Sequence, residues 1–284
     1  MGQFKSESVK PKNTMKTPTI LQRRTSSAAL VTLCLAASQA AFAQVGSINS
    51  AVISPREWND IPGATLTTIA SYPSVIVFSE QNVSQVGGYA NRDTWRFSNN
   101  GGTSAYAFAN NDYFQVSMTL QLIGNPTSPR KEAGFLLNTI GGDGQFIVNT
   151  DGHEIVAFGG PLPFYAFPAT FDSSEIVTLG MTYFLDSNTG LRSIVYSANG
   201  VNSPILALSN LEQGIIDGST LGGYFQIQNN PNNPSNFGAA VFQNVSISGI
   251  AVPEPSAVAL LSLGVLPFVL AMRRRQTKAS LRSV

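Results

Sequence analysis

The sequence predicts an all-β fold, an antiparallel β-sandwich or jelly roll, over the central part of the chain. Between residues 114 and 122 apolar and polar side chains alternate strictly, which is the period of a strand with one buried face. Other segments repeat this pattern, and turn sequences such as Asp151-Gly152 and Asn199-Gly200 separate them. No segment of this region carries a long apolar stripe at helical spacing. Short strands joined by tight turns are typical of a sandwich or barrel.

The strands can be placed in chain order. They are predicted at residues 75–78, 114–122, 134–140, 145–150, 154–158, 177–185, 191–197, 223–228 and 240–248. Stretches rich in Gly, Asn and Asp, such as 141–144 and 186–190, fill the gaps because these residues accept turn conformations. The stretch 44–111 is expected to add outer strands to the same sandwich. No linker or internal repeat divides the region.

One hairpin can be put in register from the sequence. With Asp151-Gly152 as a two-residue loop, the cross-strand pairs are Thr150–His153, Asn149–Glu154, Val148–Ile155 and Phe146–Ala157. The last two pairs are apolar and share one face, which should pack inward. His153 falls on the same face at the tip, where water reaches it.

An export signal occupies residues 1–43. Basic residues precede an apolar stretch at 28–37, and Ala41 and Ala43 are the small residues expected just before a cleavage at Gln44. The residues that should follow a twin-arginine pair are absent. The Sec machinery and signal peptidase are therefore the expected partners in export.

The start of translation stays open between Met1 and Met15, because a signal peptide does not need the polar residues 1–14. The single cysteine, Cys34, lies in the apolar part of the signal. The exported chain is therefore expected to have no cysteine and to depend on its apolar core for stability.

The C-terminal region, residues 251–284, has the features of a membrane-directed tail. Residues 256–272 carry no charge and would span roughly 25 Å as a transmembrane helix, which is short for a bilayer. The motif Val252-Pro253-Glu254-Pro255 precedes this run. Arg273, Arg274 and Arg275 follow it, and their side chains can reach the headgroups and keep this end in the cytoplasm. The alternative is a permanent single-pass anchor.

The order of motif, apolar helix and arginine cluster resembles the PEP-CTERM sorting tail of Gram-negative bacteria, which exosortase recognises. The resemblance implies that the precursor stays transiently in the inner membrane and that exosortase acts at the motif. The protein would then reach the cell surface or the extracellular matrix. Proteins of this family are associated with exopolysaccharide, which is the expected partner outside the cell.

The stretch from about residue 114 to residue 248 also resembles the concanavalin A-like lectin/glucanase sandwich. The segments that carry this resemblance are 134–137, the hairpin 144–158, the paired strands 179–185 and 191–196, the turn 198–201 and the closing strand 240–248. It implies a jelly-roll fold, and fold alone does not name a function.

Charge limits the partners of this region. Between residues 44 and 252 six Lys and Arg stand against fourteen Asp and Glu, a net charge near −8. A surface this acidic argues against nucleic acid and against anionic membrane surfaces as partners.

Residues with a chemical pattern are few. Glucanases of this fold place two carboxylates at alternate positions of one strand, and no predicted strand does so here. His153 is the only histidine and no Gly-x-Ser-x-Gly motif occurs in the sandwich region. Zinc lacks ligands. Oxygen ligands for calcium exist in Asp143, Asp186, Asn188 and the loop 229–236, although turn formation explains these residues as well. No catalytic residue, metal site or cofactor is predicted.

Aromatic side chains are the remaining candidates for glycan contact. The residues predicted to contact a glycan are Trp95, Tyr106, Phe164 and Tyr165. The last two lie in the loop 159–168, which is the best candidate for the rim of a binding site. We expect a non-catalytic, exosortase-processed surface or matrix protein with a glycan-binding sandwich. The alternatives are a secreted glycan hydrolase or lyase, and a purely structural or adhesive surface protein.

Overall fold

The computed structural model describes residues 45–85 and 88–250. They form an all-β sandwich of two antiparallel sheets, which confirms the predicted fold class. The predicted signal peptide and the sorting tail lie outside the described residues. Within the described residues the one helical element is a 3-10 turn at Val45–Ser47, and no helix there is long and apolar enough to cross a membrane.

Fifteen strands follow the 3-10 turn. In chain order they are β1 (Ser50–Trp58), β2 (Thr65–Ser71), β3 (Val75–Gln81), β4 (Ala90–Ser98), β5 (Phe114–Asn125), β6 (Lys131–Thr139), β7 (Gly142–Asn149), β8 (Ile155–Phe158), β9 (Tyr165–Ala166), β10 (Ile176–Leu185), β11 (Arg192–Ala198), β12 (Val201–Asn202), β13 (Leu206–Ala207), β14 (Thr220–Gln228) and β15 (Phe237–Gly249). Every strand predicted from the alternating pattern is present, with ends shifted by a few residues.

The strands divide into two sheets. Sheet A has the order β1-β4-β14-β6-β7-β8-β9, and sheet B has the order β12-β11-β10-β5-β15-β3-β2, with β13 pairing with β11. The N-terminal strands β1 and β2 lie at sheet edges, as expected. However, β3 and β4 lie inside the sheets, because β15 and β14 return from the end of the chain to pair with them.

The hairpin of β7 and β8 has the predicted register. Val148 pairs with Ile155 and Phe146 with Ala157, and all four side chains are buried between the sheets. His153 lies exposed at the turn. The two-residue loop and the period of two together determine which face of the hairpin turns inward.

Aromatic side chains fill the core between the sheets. Trp95 packs edge-on against Phe97 and Phe242, at ring-centroid distances of 5.2 and 5.9 Å. Gly223 lies opposite Trp95 in the sheet, and a Cβ there would come within 2.5 Å of the indole Nε1. The missing side chain therefore makes room for the indole.

An ionic cluster is buried at one end of the core. Arg56 donates two hydrogen bonds of 3.1 Å to the carboxylate of Glu80, and its backbone N–H donates one of 2.9 Å to Asp93 Oδ1. Its guanidinium also contacts Asp60. Glu80 and Asp93 are both 0% exposed, and Asp93 Oδ2 is buried without a partner. Burial raises the pKa of Asp93 to about 7, against an ordinary 3.8.

The ionisation of Asp93 should make the protein less stable as pH rises. The unfolded chain loses this proton near pH 3.8 and the folded chain near 7. Stability is therefore full below the unfolded pKa and is lost as pH rises through the folded one. Between pH 4.5 and 7.5 the free energy of unfolding should fall by about 2–3 kcal/mol more in the native protein than in Asp93→Asn. Urea denaturation at both pH values measures the difference.

Asp217→Asn is the matched control, since Asp217 is exposed. It should keep the native pH dependence. If the two variants show the same slope as the native protein, Asp93 does not control the change.

Candidate functional site

The outer face of sheet A, turned away from sheet B, gathers the polar side chains of four adjacent strands. Alternation along each strand sends the core residues inward and every second residue to this face. The outward residues are Arg92, Thr94 and Arg96 on β4; Tyr224 and Gln226 on β14; Glu132, Leu136 and Asn138 on β6; and Asp143, Gln145 and Ile147 on β7.

A chain of hydrogen bonds crosses this face at one level of the sheet. Arg92 pairs with Gln226, and Gln226 with Glu132, on neighbouring strands. Arg92 Nε donates to Gln226 Oε1 at 3.2 Å, and Gln226 Nε2 donates to Glu132 Oε1 at 2.9 Å. The amide thus holds a guanidinium and a carboxylate at a fixed separation.

An ion pair joins distant points of this face. Arg92 on β4 meets Asp143 on β7 at 3.3 Å between Nη1 and Oδ2. The two strands are three places apart in the sheet, and Arg92 lies level with Asn149, six residues along β7 from Asp143. In a flat sheet about 25 Å would separate the two positions, so the sheet bends toward its outer face along this diagonal. We call the surface along it the trough.

A second polar group lies along the trough. Arg96 donates to Asn138 Oδ1 at 2.8 Å and to both carboxylate oxygens of Glu57 at 3.1 Å. Asn138 in turn donates to Asp143 Oδ1 at 2.7 Å. The contacts of Arg92 and Arg96 therefore converge on the Asn138–Asp143 pair, which keeps both guanidinium groups in place.

Tyr224 lies at the centre of the trough. It is fully buried and packs with the apolar cluster of Leu136, Ile147 and Val156, while the guanidinium of Arg92 stacks on its ring at 5.5 Å. Burial raises the pKa of Tyr224 well above its usual 10. The phenol therefore stays protonated, and its hydroxyl is buried without a hydrogen-bond partner among the described residues.

Glu132 lies next to this phenol. Its pKa is raised by burial, while Arg130 at 3.6 Å lowers it. The Tyr224 hydroxyl is close enough to lower that pKa as well, but it does not reach the geometry of a full hydrogen bond. A carboxyl with a raised pKa beside a free phenol is a pair suited to proton transfer.

Charged side chains of both signs meet at this face. The stretch 45–250 contains six Lys and Arg, and Arg92, Arg96 and Arg130 lie on or beside the trough. Each of these three is paired with carboxylates, which are Asp143 for Arg92, Glu57 for Arg96, and Glu132, Asp151 and Glu154 for Arg130. Half of the cations of this acidic domain therefore lie at the trough in ion pairs.

The structure places two of the predicted glycan-contacting aromatics in the core. Trp95 is 0% exposed and Tyr106 is 7% exposed. Neither lies on the trough, because alternation along β4 turns Trp95 toward sheet B and a hydrogen bond of 3.0 Å to Asp112 holds Tyr106. Both side chains belong to the core cluster between the sheets. Phe164 is exposed, and Tyr165 is half-buried in β9 at the edge of sheet A.

The residues considered for calcium have other contacts. Asp186 accepts hydrogen bonds from its own turn at 2.9 and 3.0 Å, and Asp143 belongs to the trough. In the loop 229–236, Asn236 donates to the carbonyls of Val83 and Gln228. Across 45–85 and 88–250 no group of three or more His, Cys, Asp and Glu is placed to hold a metal ion. His153 contacts Asp172 and the carbonyl of Phe171, both at 3.1 Å.

The sequence matches no protein-family model and no curated protein. Solved structures with a similar fold include three alginate lyases. AlgAT5 of polysaccharide lyase family 7 has a TM-score of 0.45 and 10% identity, over 68% of this chain and 85% of that one. A Corynebacterium enzyme has a TM-score of 0.46 and 13% identity, over 64% and 83%. An enzyme from Pseudomonas aeruginosa has a TM-score of 0.47 and 15% identity, over 64% and 86%.

The prediction of a non-catalytic protein disagrees with the names of these neighbours, which are lyases, and at 10–15% identity the likeness itself concerns the fold. Carboxylate pairs on one strand, a serine elbow and histidine, the patterns used in the sequence, do not include Arg92, Glu132, Tyr224 and Gln226, which come from three strands. The available signal was the polar or phenolic residues at alternate positions, 92, 94 and 96 on β4 and 224 and 226 on β14.

Proposed function

We propose that the protein cleaves an acidic polysaccharide by β-elimination and that the trough is its active site. The observation that carries the proposal is that Arg92 joins two other polar groups of the trough. Its guanidinium stacks on the ring of Tyr224, and Gln226 links it by hydrogen bonds to the carboxyl of Glu132. Such a set has the three kinds of group that elimination from a uronate requires.

The first requirement is to neutralise the uronate carboxylate, which makes the proton on the neighbouring carbon acidic. Arg92 and Gln226 meet this requirement because a guanidinium and an amide can both donate to carboxylate oxygens. A uronate carboxylate would take the place of Asp143, whose side chain is 42% exposed, as the partner of Arg92.

The second requirement is a base and an acid. Glu132 takes the C5 proton; the electron pair of that C–H bond forms the C4–C5 double bond, and the C4–O4 bond breaks. Tyr224 is 0% exposed beneath the guanidinium of Arg92, so its hydroxyl reaches the leaving O4 only when Arg92 moves off its ring to the substrate carboxylate. Its raised pKa keeps the proton on the phenol until it is donated to O4. The products are a new chain end and an unsaturated sugar, so atoms and charge balance without an added reactant.

Elimination fits the trough better than hydrolysis does. A glycoside hydrolase requires a second carboxyl about 5–9.5 Å from the first, across the scissile bond. Asp151 acts electrostatically on Glu132, but it is paired with Arg130 at 2.7 Å. The groups beside Glu132 on the trough are the phenol of Tyr224 and the amide of Gln226, which serve elimination directly.

The test is incubation of the purified protein with alginate and with polygalacturonate. Each elimination creates a double bond conjugated to the carboxylate, which raises the ultraviolet absorbance of the solution. Each cut also creates a new reducing end. Reducing ends without the absorbance would indicate hydrolysis instead. If neither polymer gives either signal, the proposal is wrong.

We also propose that the protein reaches the cell surface or the matrix through Sec export and exosortase processing at residues 252–255. The support is the order of the Pro253-Glu254-Pro255 motif, the uncharged run and the arginine cluster. Glu254→Ala should trap the precursor in the membrane, and immunoblotting of membrane and medium fractions measures this. Glu212→Ala, outside the motif, is the control. Normal release of Glu254→Ala would overturn the route.

A further inference from the structure

Two exposed aromatic rings lie beside the trough at the β1 edge of sheet A. Trp58 is 43% exposed and Tyr89 is 60% exposed, although both are large apolar side chains. Their ring centroids are 6.2 Å apart and the rings are tilted by 52°. Two adjacent aromatic rings that stay exposed and are rimmed by polar groups are typical of a binding site.

A backbone irregularity directs Trp58 to the outer face. The pairing of β1 with β4 shifts between Ser54 and Trp58, and Arg56 and Asn59 on either side have positive φ angles of 49° and 64°. Positive φ is costly for residues with a side chain. The bulge sends Arg56 to the core carboxylates while Trp58 lies opposite Arg92 on the outer face.

The aromatic pair is continuous with the catalytic groups. The guanidinium of Arg92 lies 5.2 Å from the Trp58 ring and 5.5 Å from the Tyr224 ring. The Tyr89 hydroxyl contacts Gln228, the next outward residue after Gln226 on β14. Polar contacts thus hold both rings in place next to a charged donor.

We propose that Trp58 and Tyr89 form a subsite for one pyranose ring of an acidic polysaccharide. The apolar face of the sugar stacks on the indole, and the carboxylate of the next sugar, at the bond that is cut, faces Arg92. This inference rests on the proposed function. It adds a subsite beyond the bond that is cut, where a stacked ring increases affinity without taking part in proton transfer.

The chain offers its own reporter for this site. It contains two tryptophans, Trp58 and Trp95, and Trp95 is 0% exposed. Acrylamide should therefore quench the fluorescence of Trp58 and leave that of Trp95 nearly unchanged. Uronate oligosaccharides should protect Trp58 from quenching in proportion to binding, and neutral glucan oligosaccharides should not.

Trp58→Ala should remove the quenchable fluorescence and weaken binding of uronate oligosaccharides roughly tenfold. It should raise KM by a larger factor than it lowers kcat, because the ring touches no reacting atom but packs on Arg92. Phe164→Ala is the matched control. Phe164 is exposed, but it lies next to β9, at the opposite edge of sheet A.

The two proposals can fail separately. Cleavage or binding of uronate chains with no protection of Trp58 and no effect of Trp58→Ala would overturn the subsite and leave the proposed function standing. Absence of both binding and cleavage in the native protein would overturn both. Equal losses in Trp58→Ala and Phe164→Ala would also contradict the subsite.

Discussion

Glu132→Gln is expected to lower kcat for cleavage of the acidic polysaccharide by a factor of 10² to 10⁴. The amide keeps the size of the side chain and can still contact Gln226, but it cannot take a proton. KM should change little, because Arg92 and Gln226 still bind the carboxylate of the substrate. The rate of absorbance increase, measured over a range of polymer concentrations, separates the two constants.

The pH dependence gives this prediction a second readout. Burial raises the pKa of Glu132, and a base must be ionised before it can accept a proton. Activity of the native protein should therefore rise with pH through the pKa of Glu132. In Glu132→Gln the residual activity should lose this ascending limb.

Glu154→Gln is the matched control for Glu132→Gln. Glu154 also faces Arg130, at 3.7 Å, and its side chain is 54% exposed. Its loss should leave kcat within about twofold, because it has no contact with Tyr224 or Gln226. Comparable losses in both variants would mean that the charge around Arg130, and not proton transfer by Glu132, controls activity.

The sequence was sufficient to predict the fold and the register of one hairpin because these depend on short-range patterns. The alternation in β5 and the two-residue turn at Asp151-Gly152 specify which side chains face inward. These local patterns do not specify which strands pair with β4. One of its two neighbours is β14, more than 120 residues later in the chain, and the pairing of β4 with β14 brings Arg92 to Gln226.

The aromatics show the same limit in more detail. Trp95 and Trp58 both stand among polar residues in the sequence, yet one is in the core and the other is exposed. Alternation in β4, with Phe97 inward, could have indicated the burial of Trp95. The exposure of Trp58 depends on the bulge after Ser54, which no local pattern predicts.

Arg56→Met is expected to reduce the free energy of unfolding by about 3–5 kcal/mol near neutral pH. The substitution removes the cation that faces Glu80 and Asp93, and both carboxyls are 0% exposed. A buried carboxylate without a partner must either stay charged at high cost or take up a proton. The backbone hydrogen bond to Asp93 remains, since it does not involve the side chain.

The loss should depend on pH in a defined direction. The pKa values of Glu80 and Asp93 are already raised by burial, and Arg56 is what lowers them. Without Arg56 both pKa values rise further, so the penalty grows as pH increases and shrinks toward pH 4, where both groups are protonated. Urea denaturation of the native protein and the variant at pH 4.5 and 7.5 measures this.

Two further variants identify the cause. Arg56→Met with Glu80→Leu should recover much of the loss, because it removes one of the orphaned carboxyls and leaves an apolar pair in place of the ion pair. Arg192→Met should cost about 1 kcal/mol or less, since the guanidinium of Arg192 bonds to Asn110 and Asn111 beside the neutral Tyr183 hydroxyl and its loss leaves no buried charge. A double variant no more stable than Arg56→Met alone would show that the cost lies in lost packing. In that case the buried carboxyls would not be what makes Arg56 necessary.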